Sequence, residues 1–233
     1  MNFSIPKLII AFFLLFLHLE TKKVQKVKTD RTRGQIIEVA KRLFQKFGFD
    51  KTSMEEIAQA AHRAKRSLYN HFADKETLFC TVVDEEMKAI QQKLQPLLEN
   101  KELPPLMRLR EYLLARYEVI AASEISHLVV APSASSTTPP RFESLQNAAT
   151  EFEEWEHNSF VTLWEQDPNC CFDSPQNTTF HTAAFADMLQ MLLKSLDYSF
   201  FVQNKYNDCK ETYIFLVNLI INSLNNNIKE NAI

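Results

Sequence analysis

At 233 residues, 45% of them apolar, the chain can bury a full core, either as one large domain or as a small one joined to a larger one. Its only glycines, Gly34 and Gly48, exclude chemistry that needs a glycine-rich phosphate cradle or a nucleophile elbow. The formal charge of -3 hides a division: residues 22–75 hold 14 Lys/Arg against 6 Asp/Glu and residues 76–233 hold 11 against 22, so a basic third suited to a polyanion precedes an acidic remainder that would be repelled by it.

In chain order, residues 1–21 come first, with an unbroken apolar run from Leu8 to Leu17 behind Lys7. Ten residues are too few to span a bilayer as a helix, and His18, Leu19 and Glu20 offer no small-residue cleavage site. The expectation is an extension that is untranslated or disordered, with translation starting downstream at a residue such as Val24 or Val27; the alternative is a targeting element. Residues 22–31 form a basic arm. The run from Lys22 to Arg33 carries six cations and one anion, which fits either an arm reaching a minor groove and neighbouring phosphates or a solvated lead-in.

Thr32 with Gln35 reads as a capping box opening a first helix, whose apolar side is Ile36, Ala40, Leu43, Phe44 and Phe47 and whose left-handed C-terminal residue is Gly48. Ser53 with Glu56 is a second capping box, ahead of Ile57, Ala58 and Ala61. Asp74 caps a helix starting at Lys75, so residues from about Lys65 to Phe72 must form one compact helix of their own. A short helix, a tight turn and a second, cation-rich short helix have the geometry of a helix-turn-helix, whose second member enters the DNA major groove. The boundaries are 32–79 for this head and about 54–73 for the motif.

Beyond it, Leu78, Val82, Met87, Ile90 and Leu94 predict a long helix from Lys75 to about Leu98, stopped near Pro104 and Pro105. Further helices are expected at about Leu106–Ser126, at Phe142–Leu163, at Thr179–Phe201 and at Asp208–Asn225, with loops at Val129–Arg141 and Asp167–Asn177. No strand pattern or repeat appears. The fold class is all-α: the three-helix head, then a larger helical domain over residues 80–233. The last two helices are apolar nearly all round and should pack on a partner subunit as well as on their own domain; Met188, Leu192, Leu196, Phe215 and Leu219 are the candidate interface.

The segment Thr32–Phe79 resembles the DNA-binding domain of TetR-family transcriptional regulators. The matching positions are Thr52, Ser53, Ile57, Ala58 and Ala61, then Lys65, Ser67, Leu68, Tyr69, His71, Phe72, Asp74, Lys75, Glu76 and Leu78, about a fifth of the chain. The resemblance implies that Lys65, Tyr69, His71 and Lys75, with Thr52 or Ser53, grip the sugar-phosphate backbone. Arg66, Ser67 and Asn70 are left to meet base edges, where a good bidentate contact contributes about 1–3 kcal/mol of discrimination. Three positions depart from the family pattern: His62 stands in the turn where Gly is usual, Arg63 replaces an apolar residue and Ala64 replaces a capping Ser. Arg66 also stands where a small residue is common.

For the larger domain the resemblance implies an effector-binding and dimerisation domain with an effector pocket; in the sequence, Arg116, beside Tyr117 on an otherwise apolar stripe, is the candidate polar anchor for an anionic ligand, and Tyr117, Phe152, Trp155 and Phe185 are the candidate apolar lining. Ordinary core packing is the competing reading for each aromatic, snorkelling to water for Arg116, and solvated surface the reading for Glu151, Glu153, Glu154 and Glu156. Cys80, Cys170, Cys171 and Cys209 show neither a zinc spacing nor a disulfide framework, so free thiols in a reducing compartment are expected. No paired carboxylate, metal-ligand spacing or nucleophile-base set stands out, so no enzyme activity, metal or cofactor is expected. The sequence therefore predicts a cytoplasmic, homodimeric, sequence-specific DNA-binding regulator, a repressor of a near-palindromic double-stranded operator released by a small molecule, with no stable membrane association. The alternative is a membrane-associated or exported helical interaction protein that uses the Leu8–Leu17 run.

Overall fold

The computed structural model describes residues 29–123, 143–166, 178–202 and 209–230, and among them helices and short turns account for the whole backbone, without strands. The N-terminal extension, residues 22–28 of the basic arm, the two loops at 129–141 and 167–177, and the adjacent Cys170 and Cys171 lie outside the described residues. The chain divides inside one helix, between Val82 and Val83, into two compact units.

In the first unit, α1 occupies residues 29–47, α2 Met54–Ala60 and α3 Lys65–Tyr69, and α4 starts at Lys75 and runs to Glu99. Residue 29 is already helical, which corrects the expected start: Thr32 lies inside α1 rather than at its cap. Residues 29–35 hold no proline, and Gly34 is accommodated within the helix. Gly48 closes α1 at φ +80°, and its N–H donates to the Phe44 carbonyl at 2.8 Å. Ile36, Ala40, Phe44, Ile57, Leu68, Phe72 and Leu78 are buried to within 3% of full exclusion. Phe44, Phe49 and Phe79 stack as a triad with centroid separations of 5.0 Å for Phe44–Phe79 and 4.9 Å for Phe49–Phe79. Each such pair contributes about 0.5–1.5 kcal/mol beyond its buried area, so the triad fixes the start of α4 against α1 and the turn that follows it.

The second unit contains the rest of α4, α5 (Pro105–Ala122), α6 (Glu143–Glu165), α7 (Thr178–Asp197) with a closing π turn (Tyr198–Val202), and α8 (Cys209–Glu230). Pro105 at the first position of α5 forfeits only an N–H that the helix start would leave unpaired. Helix α5 packs on α6 and α8, and α6 packs on α7. Their shared core is Leu94, Leu109, Tyr112, Leu113, Phe160, Leu163, Leu193, Tyr213 and Val217, with Tyr112 set edge-on to Phe160 at 5.5 Å. No helix of the described residues is long and apolar enough to cross a membrane.

Candidate nucleic-acid interface

Helix α2 opens on the capping box read from the sequence. Ser53 Oγ accepts from the Glu56 N–H at 3.2 Å, and Glu56 Oε2 accepts from the Ser53 N–H at 2.8 Å. The Ser53 hydroxyl and backbone hydrogen bonds hold the Glu56 carboxyl below the usual carboxylate range. At the other end the chain turns through His62, whose φ of 52° is left-handed. The His62 N–H donates to the Gln59 carbonyl at 3.1 Å and the Arg63 N–H to the Ala58 carbonyl at 2.9 Å, the paired bonds of a Schellman turn. This tight reversal sets α3 across α2, and it survives without glycine because histidine tolerates the left-handed region better than most residues. Arg63 adds a clamp that the sequence did not disclose: its Nη2 donates to Gln35 Oε1 of α1 at 2.9 Å.

Helix α3 ends at Tyr69 rather than at Phe72, since Asn70 and His71 form a turn and the Phe72 N–H returns to the Leu68 carbonyl at 2.9 Å. Ala64 provides no side-chain cap, as a methyl cannot accept. Leu68 and Phe72 point inward, and the Arg33 guanidinium lies over the Phe72 ring at 5.3 Å. Lys65, Arg66, Tyr69 and Asn70 are exposed, while Ser67 and His71 are half-buried. The outer side of α3 thus offers two cations, a phenol and an amide. Among the described residues one carboxylate answers them: Lys65 Nζ pairs with Glu55 Oε1 of α2 and lies 5.8 Å from the Tyr69 ring. Both partners are more than half exposed, so the pair is worth little and yields readily to a phosphate.

Two expected phosphate contacts are otherwise engaged. Thr52 is 2% exposed, and its hydroxyl donates to the Gly48 carbonyl at 2.8 Å, bracing the α1–α2 turn. Ser53, half-buried at the start of α2, keeps its place at the surface. Lys75 donates from Nζ to the Phe49 carbonyl at 2.8 Å and sits 4.2 Å from the Phe49 ring centre, which leaves two of its three N–H groups uncommitted by that bond. Asp74 caps α4 as read, accepting from the Thr77 N–H at 2.7 Å, and the Thr77 side chain together with that backbone bond lowers the Asp74 carboxyl below its ordinary value.

Residues 36–81 match the family described as bacterial regulatory proteins, tetR family. Over those residues the chain is similar to the tetR family. A transcriptional repressor, DhaR, of a Mycobacterium species is 31% identical over 88 residues, 38% of this chain and 44% of that protein. A probable acrEF/envCD operon repressor of Escherichia coli is 33% identical over 104 residues, 42% of this chain and 45% of that one. The matched stretches therefore span less than half the length of these curated relatives. Likeness of fold extends further: the fatty acid degradation regulator FadR of Bacillus halodurans aligns over 82% of this chain and 96% of its own at a TM-score of 0.60 and 16% identity. A putative TetR-family regulator of Mesorhizobium loti aligns over 84% and 96% at a TM-score of 0.63 and 22% identity. The TetR head plus a C-terminal helical domain is therefore the fold of the chain.

In the domain that follows the head in sequence, the expected ligand anchor is already engaged. Arg116 is 3% exposed and carries no free charge for an anion, because Nε donates to Glu156 Oε1 at 2.7 Å and the two Nη atoms donate to Asp197 at 2.9 and 2.8 Å. Glu156 is accordingly no surface residue; it is 1% exposed and also accepts from the Tyr112 hydroxyl. Its spacing from Phe152 and Phe160, four residues each way, places it on the buried stripe of α6, a signal the sequence did carry. Tyr117 packs on Tyr213 at 4.9 Å, Phe152 on Trp155 at 5.4 Å and Phe185 on Trp164 at 5.0 Å. Trp155 also lines an open cleft of about 660 Å³ beside Arg108.

Of the expected interface residues, Met188, Leu192, Phe215 and Leu219 are exposed, and Leu196 is half-buried against its own core. Met191, on the same helix as Met188 and Leu192, is 71% exposed.

Proposed function

We propose that the protein is a homodimeric, sequence-specific DNA-binding repressor that acts in the cytoplasm and leaves its near-palindromic operator when a small molecule fills the C-terminal domain. The observation that carries this reading is the α2–turn–α3 unit, with Lys65, Arg66, Tyr69 and Asn70 on its open side inside the segment that matches the tetR family. Arg66 and Asn70 are the base readers, with Ser67 beside them. Lys65, Tyr69, His71, Lys75 and Ser53 are the backbone contacts. The exposed Met188, Met191 and Leu192 on α7 and Phe215 and Leu219 on α8 support the dimer, because monomers seldom leave so many large apolar side chains in water. A two-fold pair of heads reads two half-sites, which is why a near-palindrome is expected.

Selection of bound sites from random duplexes tests the whole reading. A recovered inverted repeat is the expected result, and recovery of no preferred sequence overturns it. Binding to the selected duplex should weaken steeply with salt, log affinity falling by about 0.9 per phosphate neutralised for each unit of log salt.

A further inference from the structure

The two arginines buried in the second unit differ in one respect. Arg116 is met by two carboxylates, whereas Arg108 on α5, 7% exposed, is met by none among the described residues. Arg108 Nε donates to the Leu103 carbonyl at 2.8 Å, and its Nη1 reaches the Leu98 carbonyl at 3.3 Å and Gln166 Oε1 at 3.4 Å. All three acceptors are neutral, and Nη2 makes no hydrogen bond among the described residues. A guanidinium taken out of water without a counter-charge is costly, and it remains strongly attractive to an anion that can reach it.

Arg108 is reachable, because it lines the cleft of about 660 Å³ formed by the end of α4, the start of α5 and one side of α6. That volume lies within the range of small-molecule sites. Trp155 provides an apolar wall, Lys101 a second cation and Asn158 an amide. The one carboxylate in the lining, Glu99, already accepts from Gln95 Nε2 at 2.6 Å. Among the described residues the charged groups of the cleft thus sum to one net positive charge, centred on a buried fork that suits a planar anion.

We propose that this cleft binds an organic carboxylate, its anionic group on the Nη2 side of Arg108 and a flat apolar body along Trp155. The binding site stands independently of the DNA-binding reading; only its use as the release signal rests on that reading.

Calorimetric titration of the full chain with 2-naphthoate, and with 2-naphthamide as its uncharged counterpart, tests the site. The carboxylate should bind at least about tenfold more tightly than the amide, the worth of one charge-assisted contact. Arg108→Gln should remove that preference. Because Arg108 also holds two backbone carbonyls, Thr162→Glu is the companion variant: it sets a carboxylate on the exposed cleft wall, leaves Arg108 intact and should abolish 2-naphthoate binding. Equal affinity for carboxylate and amide, no heat from either, or undiminished binding by Thr162→Glu overturns the proposal. The selected duplex separates the two readings: carboxylate binding without change in DNA affinity keeps the site and removes its role in release, while intact DNA binding without carboxylate binding removes the site alone.

Discussion

Arg116 and Asp197 meet as a fork on a fork, with Nη1 to Oδ1 at 2.9 Å and Nη2 to Oδ2 at 2.8 Å, and this pair ties the middle of α5 to the end of α7. With Glu156 on the guanidinium's third side, α5, α6 and α7 converge on one buried cation. Removing that cation strands two carboxylates. Arg116→Met should therefore cost about 3–5 kcal/mol in a denaturant melt, far more than its lost volume alone, whereas Arg116→Met with Glu156→Gln and Asp197→Asn should recover most of the loss. A triple variant as unstable as the single one would show that the charges are not what matters.

The same cluster sets a pH dependence. Two carboxylates share one guanidinium, so ionising both leaves an uncompensated negative charge, and burial raises the Asp197 carboxyl above its ordinary value of 3.8 in spite of Arg116. A folded-state value above the unfolded one favours folding while the group is protonated. That contribution is complete below pH 3.8 and is lost as pH rises through the raised folded value. Asp197→Asn cannot lose it. The stability difference between wild type and Asp197→Asn should drift against the wild type over that upward interval, and a flat difference between the two unfolding curves would contradict the assignment.

What the sequence made legible is what short-range chemistry decides. The Ser53–Glu56 box, the Asp74 cap and the left-handed Gly48 each follow from residues within four positions of one another, and all three are present. The Thr32 box had the right letters and no role, because a capping pattern cannot report that helix already precedes it. Arg116 illustrates the opposite limit: its partners lie 40 and 81 residues away, and nothing local distinguishes an arginine awaiting a ligand from one already neutralised. Thr52 was legible as a family position and not as a buried one, since only the bond to the Gly48 carbonyl shows where its hydroxyl points.

His62 gives the turn a direct test. A left-handed backbone costs a side chain about 1–2 kcal/mol, and glycine would exchange that for about 0.5–1 kcal/mol of extra chain entropy. His62→Gly should accordingly stabilise the TetR head by up to about 1 kcal/mol, and His62→Val, β-branched at the same φ of 52°, should destabilise it by more than that. Thermal melts of the two variants in the full chain provide the comparison. A more stable His62→Val would mean the turn relaxes out of its left-handed form.

At the proposed DNA surface Glu55 acts as a competitor for Lys65, holding its ammonium where a phosphate would. Glu55→Gln removes a negative charge and frees the lysine, so affinity for all duplexes should rise several-fold, a change worth about 1 kcal/mol, without altered base preference. Arg66→Ala should do the reverse, relaxing preference at one base position. Arg66→Ala and Lys65→Ala giving the same sequence profile in a binding-site selection would refute the division between base and phosphate contacts.

The exposed face of α7 and α8 brings the last expectation. Met188, Met191 and Phe215 are each at least 64% exposed, so none supports the fold of its own subunit by burial. A charge there costs the monomer little and costs a dimer the desolvation of an unpaired ion at the middle of its interface. Phe215→Glu should sediment as a folded monomer with helical content and melting behaviour near those of its parent subunit. Because two half-sites engaged together multiply affinity through their effective concentration, the same variant should lose about a hundredfold or more in binding to the two-half-site duplex while retaining the weak binding of one head to one half-site. A Phe215→Glu protein that sediments as a dimer at micromolar concentration would move the interface elsewhere, and leave this apolar face to be explained by some other partner.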